Sequence, residues 1–207
     1  MLVGCWVFFS YIPVMKKSLR FNSIFVPREN YGVNLQFMGL TEMVAFVYNH
    51  FGGNPNLRML EIGAYMGDST FIWAASGIFK DIYTIDPHCG EEEANDILGV
   101  DWKDVKRNYN TNTRFFNNIT LIPDYSYNVV DKFKDGTVDF IYIDANHSYE
   151  GVKKDIELFL PKLSKGGIIG GHDYNKEWSG VIKAVDEIFG KPDITFWDNS
   201  WFKVIDK

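Results

Sequence analysis

The chain has 207 residues, 46% of them apolar and 16% aromatic, with a formal charge of -6 at pH 7. That length suits one large domain with a sizeable core, and the composition excludes a disordered chain. The acidic balance, with no Lys/Arg cluster beyond the short MKKSLR run, argues against a nucleic-acid partner.

Two cysteines, Cys5 and Cys89, are too few for a disulfide framework or a thiolate zinc cage, so a cytoplasmic location is expected. The opening MLVGCWVFFSYIPVM is apolar, but no basic residue precedes the apolar run and no clear cleavage site follows it. It is also short for a bilayer span, so no membrane partner is expected. Residues 1–39 are read as an arm packed on the body or on another copy in a homo-oligomer, with an interfacial anchor or a misassigned start as alternatives. One domain, 40–207, follows.

In chain order, TEMVAFVYNHF spaces Met43, Phe46, Val47 and Phe51 as a helix face with Thr41 as N-cap, and GGNPN ends it. LRMLEIG is a buried strand, DSTFIWAASG a helix capped by Asp68 or Ser69, and DIYTID the next strand. The polar, acid-rich stretch from Pro87 to Asn118 is partly helical. It is read either as a lid carrying Glu91–Glu93, Trp102, Tyr109, Phe115 and Phe116, or as a solvated helix with core-facing aromatics. ITLIPD is a third strand, SYNVVDKF a helix, and VDFIYID a strand apolar on both faces, as a central parallel strand is. YEGVKKDIELFLPKL lines up Val152, Ile156, Phe159 and Leu163 on a helix; GGIIGG is a strand and VIKAVDEIF a helix. DITFWDNSWFKVID forms two strands around Asp198, Asn199 and Ser200. The alternation predicts an α/β fold: a doubly wound, mostly parallel seven-stranded sheet with an antiparallel C-terminal hairpin.

Ligands of such sheets sit beyond the carboxyl ends of the strands. The first strand ends in Glu61-x-Gly63-x-x-x-Gly67, whose glycines permit a tight turn and close approach of a ligand, or simply an ordinary strand-to-helix turn. It lacks the Lys-Ser/Thr of a P-loop and the Gly-x-Gly-x-x-Gly of a dinucleotide turn. Asp86 ends the second strand at about the 20-residue offset of a ribose-binding acid. Asp124 and Ser126 follow the third strand, facing a ligand or capping the next helix. Asp144, His147, His172 and Asp173 cluster after the fourth and fifth strands. Read from chemistry alone, neighbouring strands would set Asp144 and Asp173 around one cation, with His147 as general base. The bland alternatives are His147 as a loop cap, and His172 with Asp173 as partners of backbone groups.

These motifs, with DFIYIDANHSYEGVKKDIELFLPKLSKGGIIGGHDY from Asp139 to Tyr174, make residues 40–207 resemble a class I S-adenosylmethionine-dependent methyltransferase. More narrowly they resemble the macrocin and mycinamicin sugar O-methyltransferases and the cephalosporin-hydroxylase-like proteins. The resemblance implies that Glu61, Gly63 and Gly67 line the methionine and ribose side of S-adenosylmethionine, that Asp86 holds the ribose and that Asp124 with Ser126 faces adenine. It also implies a divalent metal on Asp144, His172 and Asp173, with Asp144 and His147 catalytic. His172 stands where the family has an acid, which leaves open both the metal, magnesium- or manganese-like, and whether His172 binds it. The implied reaction is O-methylation of a small hydroxylated acceptor such as a sugar or glycan unit. An NAD-linked oxidoreductase and a non-catalytic binding or assembly protein are the competing readings.

Overall fold

A computed structural model describes residues 35–89 and 101–206. The expected arm up to residue 34, and Glu91–Glu93 of the expected lid, lie outside the described residues. The apolar runs form β1 (Leu57–Ile62), β2 (Phe79–Ile85), β3 (Ile119–Ile122), β4 (Val138–Ile143) and β5 (Leu163–Gly171), followed by a hairpin of β6 (Ile194–Thr195) and β7 (Trp201–Val204). One sheet holds all seven in the order β3-β2-β1-β4-β5-β7-β6. The first five are parallel, and β7 runs antiparallel to both β5 and β6. The chain winds outward from β1 to β3, then returns to the other side of β1 for β4, so the order reverses between β1 and β4 and opens a crevice at their carboxyl ends.

Helices α1 (Leu35–His50), α2 (Asp68–Ser76), α3 (Trp102–Thr113), α4 (Ser126–Val129), α5 (Tyr149–Phe159) and α6 (Ser179–Phe189) complete the fold. Alternation along the strands divides the core. Leu60, Ile62, Ile141, Ile143 and Ile169 pack with Val152, Ile156 and Phe159 of α5 and Val181 and Val185 of α6. Met59, Ile82, Phe140, Tyr142 and Ile168 pack with Met43, Val44 and Val47 of α1 and Trp73 of α2. No helix among the described residues is long and apolar enough to cross a membrane.

The structure corrects three local expectations. Thr41 lies within α1 and is not its cap: its hydroxyl donates to Phe37 O at 2.6 Å. The N-cap of α2 is Gly67, φ 82°, with no side-chain cap, because Ser69 turns inward. Leu163 starts β5 instead of extending α5, since the short 3-10 turn Leu160–Lys162, with Pro161 in it, intervenes.

Candidate active site

The crevice is built first from the β1–α2 turn. Gly63 has φ 85°, and a Cβ there would stand 2.1 Å from the carbonyl oxygen of Asp144, so this approach of two strand ends requires glycine. Tyr65 also adopts positive φ, 47°. Two acids hold the turn. The parity of β1 points Glu61 at α2, where Ser69 Oγ (2.7 Å), Thr70 Oγ1 (2.5 Å) and Trp73 Nε1 (3.0 Å) donate to its fully buried carboxylate, joined by Thr84 Oγ1 (3.3 Å) of β2. Burial pushes its pKa up to about 7, against those hydrogen bonds. Glu61 therefore sits beneath the turn and anchors it, in place of the expected lining position. Asp86 Oδ2 accepts the backbone N–H of Ala64 and of Tyr65, each at 2.8 Å, while Oδ1 accepts that of His88 at 2.7 Å.

Beyond β3, Asp124 Oδ1 accepts Tyr125 N–H and Asn128 Nδ2, both at 2.8 Å, bonds that lower its pKa, Asn128 contributing most. Ser126 Oγ donates to Asp155 Oδ1 at 2.5 Å. Both side chains thus brace α4. Tyr109 of α3 is buried and packs on Gly67, and Phe116 meets Phe71 edge-on at 5.4 Å, so these two aromatics face the core, while Phe115 is exposed.

The acid and histidine cluster stands at the ends of β4 and β5, whose pairing sets Ile143 opposite Gly171. Atoms of Asp144, His147 and Asp173 all lie within 4.8 Å of one another. His147 Nε2 is 2.8 Å from Asp173 Oδ2 and 3.5 Å from Asp144 Oδ1. The nitrogen makes no hydrogen bond of good alignment and is held by these two ion-pair contacts. Burial opposes charging of His147, but the two carboxylates outweigh it and hold its pKa up at about 9. Burial likewise raises Asp173, yet His147 and His172 carry it well below the usual carboxylate range. Asp173 adopts φ 60°, a conformation that costs a non-glycine residue about 1–3 kcal/mol. His147 does not cap α5: Ser148 does, its Oγ accepting Gly151 N–H at 3.1 Å. Nor do the side chains of His172 and Asp173 serve backbone groups, for they face each other, Nδ1 to Oδ2, at 3.2 Å.

His172 is not among the converging atoms. Its Nε2 points instead at Asp198 Oδ2, 3.8 Å away in the β6–β7 turn. In the sequence Asp198 reads only as a turn residue. Trp178 also joins the site, its ring lying on that of His147 with centroids 4.4 Å apart and 31° between planes. Neither carries a motif: Asp198 reaches the site through the terminal hairpin beside β5, and Trp178 through the 3-10 turn Lys176–Trp178 that follows β5.

A family model described as a methyltransferase domain matches residues 60–174. The chain belongs to that methyltransferase family. Its sheet and crevice are those of the class I S-adenosylmethionine-dependent fold. An uncharacterised protein of Acanthamoeba polyphaga mimivirus is 32% identical over 146 residues, 64% of this chain and 59% of that protein. The chain therefore spans about three fifths of that relative. Among solved structures, the O-methyltransferase NovP matches with TM-score 0.63 at 17% identity, over 83% of this chain and 80% of NovP. An O-methyltransferase from Bacillus cereus in complex with SAH matches with TM-score 0.56 at 16% identity, over 87% and 84% of the two chains. At these identities the likeness is one of fold.

Proposed function

We propose that the protein transfers the methyl group of S-adenosylmethionine to a hydroxyl oxygen of a small acceptor, a sugar or glycan unit, with a divalent cation beside the acceptor oxygen. The observation that carries this reading is the convergence of Asp144, His147 and Asp173 at strand ends that touch the Gly63 turn. The residues fit a cation. Among the described residues the only basic side chains paired with these two carboxylates are histidines, and Asp173 is held at a strained φ of 60°. Two carboxylates favour a magnesium- or manganese-like ion.

When bound, S-adenosylmethionine supplies a methyl group on a positively charged sulfur, and the cation supplies charge that stabilises the acceptor oxygen as its proton leaves. The chain's own residues do the rest. Gly63 and Gly67 let the backbone approach the donor, Asp86 meets its ribose, and Asp124 with Ser126 borders its adenine, while Glu61 keeps the turn in place from below. Asp144 and Asp173 hold the cation. The two carboxylates keep His147 protonated while they face its Nε2; once they serve a cation that support is withdrawn, and the neutral ring would take the acceptor's proton. An O–C bond forms as the S–C bond breaks, giving S-adenosylhomocysteine and a methyl ether. Trp178 offers an exposed aromatic face next to that base, a surface suited to the apolar face of a sugar ring.

The test is incubation with methyl-labelled S-adenosylmethionine and a panel of free glycosides and nucleotide sugars. The expected result is label in an acceptor, lost on chelation and in Asp144→Ala. Binding of reduced nicotinamide cofactor with no binding of S-adenosylhomocysteine would favour the oxidoreductase reading. Binding of neither would leave a non-catalytic role.

A further inference from the structure

The hairpin that closes the sheet also reaches the site. Asp198 is buried, its side chain 2% exposed. It accepts Ser200 N–H at 3.0 Å and Ser200 Oγ at 2.9 Å, and Ser200 Oγ in turn lies 3.3 Å from Tyr142 OH. Gly39 of α1 lies against it so closely that a Cβ there would come within 2.0 Å of Asp198 Oδ1. A buried carboxylate is costly without an opposite charge. Among the described residues the one basic group paired with Asp198 is His172.

We propose that His172 is a spacer between two carboxylates, not a cation ligand, and that Asp198 is a positioning residue acting through it on Asp173. This rests on the cation site proposed above. The ring has one nitrogen on each acid: Nδ1 at 3.2 Å from Asp173 Oδ2 and Nε2 at 3.8 Å from Asp198 Oδ2. Nδ1 is turned to the Asp173 carboxylate itself, and Nε2, which forms no hydrogen bond at 3.8 Å, faces Asp198, so neither nitrogen joins the converging atoms of Asp144, His147 and Asp173. The backbone ties the same two segments together, Tyr174 N–H donating to Asn199 O at 3.0 Å. Asp198, fixed by Ser200, Tyr142 and the α1 contact, thereby sets where His172 stands. His172 and His147 face the same oxygen of Asp173, at 3.2 and 2.8 Å, and His172 restrains its rotamer from the side of the terminal hairpin. Outer partners of this kind typically change metal affinity by about 10–100-fold when removed.

The experiment uses the full chain and Mn2+ as probe. Free Mn2+ is counted by electron paramagnetic resonance during titration of the wild type, Asp198→Asn, His172→Gln, the double variant and Asp144→Ala. Binding of S-adenosylhomocysteine by calorimetry serves as the fold control. The expected result is Mn2+ affinity about tenfold weaker in each single variant, no further loss in the double variant, and unchanged S-adenosylhomocysteine binding. Unaltered Mn2+ affinity in Asp198→Asn, or losses that multiply in the double variant, overturns the relay. Loss in His172→Gln as complete as in Asp144→Ala makes His172 a ligand and overturns it equally. If Asp198→Asn does not fold, His172→Gln alone decides between spacer and ligand. A wild type that binds S-adenosylhomocysteine but not Mn2+ removes the cation site itself, and this proposal with it.

Discussion

Glu61 should make the fold's stability depend on pH in an unusual direction. Its pKa is raised by burial from 4.5 to about 7. Between those values the unfolded chain carries an ionised Glu61 while the folded chain still holds the proton. The folded state thus binds more protons there, and stability falls as pH rises. At about 1.4 kcal/mol per pH unit, the interval corresponds to about 3 kcal/mol, present in full below pH 4.5 and lost as pH passes 7. Glu61→Gln isolates the effect. Trp73 Nε1 and Ser69 can donate to the amide oxygen, and the hydroxyls of Thr70 and Thr84 can turn to accept from the amide nitrogen, so the variant keeps its partners without the charge. Urea unfolding at intervals from pH 4.5 to pH 8 measures both proteins. The wild type should lose about 3 kcal/mol relative to Glu61→Gln across that range. Parallel curves would refute the argument that this carboxyl is protonated in the folded protein near neutrality.

Gly63→Ala combines a left-handed backbone with a Cβ at 2.1 Å from backbone oxygen, and should cost about 2–5 kcal/mol in denaturant unfolding and abolish S-adenosylhomocysteine binding by calorimetry. His147→Gln should lower kcat by about 100-fold or more while keeping most Mn2+ affinity; a loss of Mn2+ equal to that in Asp144→Ala would make His147 a ligand and not the base. Trp178→Ala should raise the acceptor KM by about fivefold to tenfold with little change in S-adenosylmethionine KM, and equal effects on both would place Trp178 away from the acceptor.

The strands and their order of appearance were legible because each is a short apolar run bounded by Gly, Asp or Asn, and a run such as Val138–Ile143, apolar on both faces, has few alternatives to a central strand. Boundaries were less so. Thr41 looked like a cap because it precedes a periodic run, but its hydroxyl bonds back to Phe37 within the helix. The direction of Glu61 was readable in principle: it shares the parity of Leu57 and Met59, which face α1 and α2. The motif drew attention to the ligand side instead. That Asp144, His147 and Asp173 come together follows from two adjacent strands and one loop, all visible in the pattern. The link from His172 to Asp198 was not visible, because it depends on how the terminal hairpin lies beside β5, 26 residues further along the chain. Trp178 likewise follows β5 in a short 3-10 turn whose sequence gives no hint that it lies over His147.

A crystal grown with S-adenosylhomocysteine and Mn2+ tests the central claim most directly. The account predicts the cofactor's sulfur over the Gly63 turn, and an anomalous Mn2+ peak touching the carboxylates of Asp144 and Asp173 with His147 beside it. A cofactor bound elsewhere, or Mn2+ absent from those carboxylates while the cofactor is in place, would contradict it.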